Sequence, residues 1–93
     1  MDFIEACKKI ISIDSAPLNG TGEVAEFIGD LGTSMGFNIQ IEKEFHRGNP
    51  EANVICHPNS PKDKVHLILQ SHLDTVDPGS FALWKKNDHN PYN

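Results

Sequence analysis

Residues 65–79 read Val65-His66-Leu67-Ile68-Leu69-Gln70-Ser71-His72-Leu73-Asp74-Thr75-Val76-Asp77-Pro78-Gly79, an apolar run that closes on a histidine, two aspartates and a turn. The run is short, apolar and β-branched, and Pro58, Asn59, Ser60, Pro61, Lys62 and Asp63 precede it as a turn cluster, so it reads as a strand. Val65, Leu67, Leu69 and Ser71 would point to one face, and His66, Ile68, Gln70 and His72 to the other. Neither face is cleanly polar, which predicts a mostly buried strand. Ligands of open α/β sheets gather just beyond the carboxyl ends of such strands, where His72 falls.

Working backwards, Phe3, Ile4, Cys7, Ile10 and Ile11 recur at spacings of three and four, an apolar helical stripe with Asp2 and Glu5 at its positive end and Lys8 and Lys9 further along. Asp14, Ser15, Pro17, Asn19 and Gly20 make a loop. Thr21 is the expected N-cap of a second helix, with a stripe of Val24, Phe27, Ile28, Leu31 and Met35 and a left-handed stop at Gly36. Phe37, Ile39 and Ile41 alternate with Asn38, Gln40 and Glu42 as a one-sided strand. Arg47, Gly48, Asn49 and Pro50 break the chain, and Ala52 to Cys56 form another short strand. After Gly79, a loop is expected, with at most a helical turn near Phe81 to Lys85. Two helices followed by about three strands predict an α/β fold with an incomplete sheet.

His72 and Asp74 are two apart, which in extended chain puts both side chains on one face. A neutral imidazole ligates a divalent metal through one nitrogen, and a carboxylate on the other N–H fixes the tautomer and raises ligand basicity. His72 is therefore the candidate metal ligand and Asp74 the candidate orienting residue. Asp77, beside Pro78, reads as a turn residue. His46, His57, His66 and His89 lack ligand spacing and read as surface or structural residues. Burial is the simple expectation for Trp84.

The segment resembles the M20 metallopeptidase family, the acetylornithine deacetylase, succinyl-diaminopimelate desuccinylase, aminoacylase and carboxypeptidase G2 group. The resemblance rests on His72-Leu73-Asp74-Thr75-Val76, Pro78, Trp84 and Asn90-Pro91-Tyr92, with Tyr92 where the family usually has Phe. Ser15, Gly36-Phe37 and Asn53-Val54-Ile55 extend it over essentially the whole chain. It implies the N-terminal part of a zinc-peptidase-like α/β/α catalytic domain over residues 1–93, with no second domain. It also implies two divalent metals, Zn2+ or Co2+, that activate a water to hydrolyse the amide bond of an N-acyl amino acid or small peptide. His72 carries over as one ligand and Asp74 as its active-site partner. The family's remaining ligands and its catalytic Glu lie downstream of the Asn-Pro-aromatic segment, so the 93 residues are expected to be an inactive fragment. A deacetylase, a desuccinylase and a peptidase all stay open, as does the alternative of a non-catalytic α/β module that keeps the scaffold without the chemistry.

Composition bounds the partners. The net charge is −5 and the eight Lys and Arg are scattered, which argues against nucleic acid. No run approaches the roughly 20 apolar residues of a membrane span, and Asp2, Glu5, Lys8 and Lys9 break up any signal-peptide core. A cytoplasmic protein is expected, with Cys7 and Cys56 as buried free thiols. An unpaired sheet edge would invite a homodimer.

Overall fold

The computed structural model describes residues 1–58, 64–65 and 67–92. Most of the Pro58–Asp63 turn cluster, together with His66, lies outside the described residues. The elements run α1 (Phe3–Ser12), α2 (Gly22–Ser34), β1 (Asn38–His46) and β2 (Asn49–His57), followed by two single 3-10 turns, Phe81–Leu83 and Asn87–His89. The expected order of two helices and then strands is present, as an α/β piece with an open antiparallel sheet.

α1 starts on a reciprocal cap: Glu5 N–H donates to Asp2 Oδ1 at 2.8 Å and Asp2 N–H to Glu5 Oε2 at 3.2 Å. Such a capping box satisfies donors that a helix start leaves open. α2 stops as its sequence predicts. Gly36 takes φ +90°, Gly36 N–H donates to Thr33 O, and Phe37 N–H reaches back to Gly32 O. That pair of bonds is a Schellman motif, and glycine carries the left-handed residue without a Cβ penalty.

β1 and β2 form a hairpin in the register Ile39↔Cys56, Ile41↔Val54, Lys43↔Ala52, Phe45↔Pro50. Arg47 and Gly48 both have positive φ, 51° and 81°, and so make a two-residue turn of the I′ kind. The sequence reading placed a break over Arg47 to Pro50. The structure narrows it to two residues and puts Asn49 and Pro50 in the strand. Pro50 is tolerated because a two-residue loop makes His46–Asn49 the bonded pair, so the position where Pro50 lacks an N–H faces away from β1.

α2 packs on one sheet face through small residues. Val24, Ala25, Gly29 and Gly32 are buried, whereas Phe27, Ile28 and Leu31 are half-buried and Met35 is exposed. A Cβ at Gly29 would lie 2.9 Å from Ile41 Cδ1, and one at Gly32 would lie 2.6 Å from Ile39 Cδ1. The large-residue stripe read from the sequence is therefore rotated from the real contact face, because close approach selects the residues with least side chain.

The N-terminal end of α2 is tied to β2. Thr21 Oγ1 donates to Glu51 Oε2 at 2.7 Å and accepts the Ala52 N–H at 2.9 Å. Thr21 is the N-cap by position, yet its side chain caps no helix N–H and is spent on the strand edge instead. The loop Ile13–Thr21 thereby covers the start of the outer edge of β2, with Ile13, Ser15, Ala16 and Thr21 all buried.

Three expectations are corrected. The run expected as a third strand has no regular structure at residues 64–65 and 67–71, and Val65, Leu67, Ile68 and Leu69 are exposed. A strand exists through its partner, and apolar β-branched sequence provides only a surface that suits one; here the adjacent edge of β2 is engaged at Ala52 by Thr21. The stripe of α1 is likewise unpacked, with Phe3, Ile4 and Ile11 exposed, since α2 holds the apolar face of the sheet. Cys7 is half-buried and Cys56 exposed, so neither thiol is fully buried; Cys56 sits at the rim of the contact between α2 and the sheet. The chain exposes 7515 Å², against about 5,400 Å² for a compact protein of this mass. Its radius of gyration is 15.3 Å, against about 12 Å for a compact domain of this length.

Candidate functional site

The stretch Ser71–Gly79 has no regular secondary structure and closes on a turn. Asp77 closes the turn, its Oδ1 accepting the Gly79 N–H at 2.7 Å, while Gly79 takes φ +77°. This is the turn role expected of Asp77. Beyond it the chain folds on itself: Trp84 Nε1–H donates to Pro78 O at 3.0 Å, and His89 Nδ1 contacts Trp84 O. Trp84 is 45% exposed rather than buried, so it ties the loop by its indole N–H and does not plug a core.

His72 and Asp74 are brought together. His72 Nδ1 lies 2.8 Å from the Asp74 carbonyl oxygen and 3.3 Å from Asp74 Oδ1. A carbonyl oxygen only accepts, so a neutral His72 carries its proton on Nδ1, and the Nε2 lone pair is left to point elsewhere. The expectation was that the carboxylate would orient the ring; the backbone of the same residue makes the shorter contact. Both side chains are well exposed, at 82% and 60%.

An open cleft of about 680 Å³ runs from this pair to the sheet face that α2 leaves bare. Ser71, His72 and Asp74 line one side, Glu42, Glu44 and His46 of β1 and Glu51 and Asn53 of β2 line the other, and Ser15 and Thr21 close one end. Lys43 also borders it, but its Nζ is 3.3 Å from Glu26 Oε1 on α2, which draws its charge to the opposite face. The cleft is therefore predominantly acidic. The alternation of Asn38, Gln40 and Glu42 with Phe37, Ile39 and Ile41 made this face legible in the sequence as polar, but gave no sign that residues 70–74 would lie over it.

Tyr92, half-buried, stacks edge-on to Phe81 with ring centroids 6.1 Å apart. Partial burial pushes its hydroxyl pKa above the ordinary 10.0, and the neighbouring Asp14 carboxylate, which accepts its hydrogen bond, raises it further, as does Asp77 more weakly. Tyr92 thus links the far end of the segment to the loop after α1, a role that its position in the sequence did not reveal.

A catalytic zinc takes about three protein ligands and an open position. Among the described residues no three His, Cys, Asp or Glu side chains converge. The described residues do not make up a metal centre. No helix of the described residues is long and apolar enough to cross a membrane.

The fold and the pair at its carboxyl end define an α/β piece that presents one oriented imidazole above an acidic cleft. The chain is 32% identical over 76 residues to the Emericella nidulans protein named Probable carboxypeptidase AN5749. That alignment takes in 82% of this chain and 18% of the relative, so the chain spans about a fifth of that protein's length. No family model matches the chain, and no solved structure matches it. The likeness relates the chain to a peptidase.

Proposed function

We propose that residues 1–93 form the N-terminal part of an M20-like, metal-dependent hydrolase of peptides or N-acyl amino acids. In this reading His72 is a metal ligand and Asp74 the residue that orients it. The observation that carries the reading is the orientation of His72: its Nδ1 faces Asp74, which leaves Nε2 as an outward lone pair. The carboxypeptidase likeness supports peptide hydrolysis as the reaction class. The unpacked α1 stripe and the large exposed area support a fold that shares its surface with further structure.

The chemistry that zinc or cobalt supplies when bound is polarisation of an amide carbonyl and activation of water. This chain's own contribution is narrower. Asp74 holds the proton on Nδ1 and fixes the ring plane, while Glu42, Glu44 and Glu51 set the potential of the cleft over which a substrate would lie. The remaining ligands, and the base that takes the water proton, would come from other parts of such an enzyme. The enzyme acts in the cytoplasm on a small molecule, as a monomer or a homodimer.

The test is hydrolysis by the longest reading frame that contains these residues. A dipeptide, a longer peptide with a free carboxyl end and an N-acetyl amino acid would be compared, each with zinc or cobalt. Metal-dependent turnover is expected, lost in His72→Ala; Asp74→Ala removes the 3.3 Å carboxylate contact but keeps the 2.8 Å backbone one, so it should reduce turnover by about tenfold, the low end for an orienting partner. Both residues are exposed, so the substitutions leave stability within about 0.5 kcal/mol and the loss reports on the site. Unchanged turnover in His72→Ala would overturn the assignment.

A further inference from the structure

The segment that carries His72 and Asp74 has no regular structure and is largely exposed, so something other than a sheet must hold it in place. Thr75, the residue after Asp74, donates its backbone N–H to Ser15 O at 3.3 Å, and the Ser15 and Thr75 hydroxyls are 3.5 Å apart. Ser15 is 3% exposed, whereas Thr75 is exposed. The two bonds join the same pair of residues, sixty positions apart, through both backbone and side chain.

Ser15 stands on a stiff platform. Ala16 N–H donates to Asp14 Oδ1 at 3.0 Å, and Ala16 O accepts from both Asn19 and Gly20 N–H at 2.9 Å. Ile13 and Ala16, on either side, are buried. Thr21, at the end of the same loop, is fixed to Ala52 of β2. A chain of contacts therefore runs from the strand edge through the loop to Thr75, its last link the longer 3.3 Å backbone and 3.5 Å hydroxyl contacts, and from there one residue back to Asp74.

We propose that Ser15 is a positioning residue: it holds Thr75 so that Asp74 stays against His72 Nδ1 and the Nε2 lone pair remains outward. The inference rests on the hydrolase reading only for the use to which that lone pair is put; the positioning itself is independent of it.

The test is the tautomer of the His72 ring, read by long-range proton–nitrogen correlation on the labelled chain at a pH where the imidazole is neutral. The wild type should show the Nδ1–H form. Ser15→Ala, and separately Thr75→Ala on the exposed side of the contact, should shift the ring towards the Nε2–H form that free imidazole prefers, while Ser15→Thr should restore the wild-type signature. Retained protection of the Ala52 amide shows that each variant is folded. Two folded alanine variants with a wild-type tautomer would overturn the positioning role. Turnover by the longest reading frame that His72→Ala leaves unchanged would instead overturn the ligand assignment, and the tautomer result would stand apart from it.

Discussion

Gly20 is the position where one methyl group should do most damage. It has φ +83°, and a Cβ there would fall 2.2 Å from Pro50 O and 3.1 Å from Pro50 C. Two costs follow. The left-handed backbone costs an L-residue about 1–2 kcal/mol, less about 0.4–1 kcal/mol returned because alanine restricts the unfolded chain. The second cost is steric and cannot be relieved by a rotamer, because the obstacle is backbone. The loop must draw away from β2 by about 1 Å to reach ordinary contact distance. That movement stretches the Thr21 Oγ1 bonds to Ala52 N–H (2.9 Å) and Glu51 (2.7 Å). Loss of the partner of a buried amide costs about 1–3 kcal/mol. The sum for Gly20→Ala is about 3 kcal/mol. Gly48 has nearly the same φ, +81°, with open space around it, so Gly48→Ala carries the conformational cost alone, about 1 kcal/mol. Urea unfolding followed by circular dichroism should place the two midpoints about 1 M apart, with Gly20→Ala the lower. Equal midpoints would refute the reasoning, since they would mean that the loop does not seat on Pro50.

Three further outcomes follow from the same contacts. Thr21→Val keeps the shape but leaves the Ala52 N–H without its acceptor, so it should lose about 1–3 kcal/mol in the same unfolding assay, with Thr21→Ser recovering most of it. Because the Tyr92 pKa is raised in the folded state, its contribution to stability is complete below about pH 10 and is lost as pH rises through the folded value; Tyr92→Phe should flatten that alkaline decline in a pH series of thermal melts. Gly32→Ala gains about 0.8–1 kcal/mol of helix propensity but displaces Ile39 Cδ1, the end of a flexible side chain, at about 0.5–1.5 kcal/mol; its stability in the urea assay should stay close to wild type, whereas Gly32→Leu should lose about 1–3 kcal/mol.

Local chemistry was legible in the sequence. The acidic start of α1 at Asp2 and Glu5, the Gly36 stop, the alternation of Ile39 and Ile41 with polar residues, and the Asp77 turn each depend on neighbours within a few positions. The nearness of His72 and Asp74 belongs to the same class, since a spacing of two lets the residues meet, although what holds them together does not. The candidate site was therefore visible as a pair of residues.

What surrounds that pair was decided in three dimensions. The face of α2 that packs is set by how near the helix comes to Ile39 and Ile41, which selects Gly29 and Gly32 over the larger residues that mark a stripe in the sequence. The run Val65–Gln70 has strand composition, but pairing depends on a free edge, and Thr21 engages the edge of β2 at Ala52. Ser15 and Thr75 are sixty residues apart, and Asp14 and Tyr92 are farther apart still, so no periodicity could have joined them. The sequence by itself determined where helices start and stop and which two residues present the imidazole, because those are short-range energies. Only the tertiary structure decided what holds that imidazole in place and what cleft it overlooks, because those depend on which distant surfaces approach closely enough to exclude a side chain.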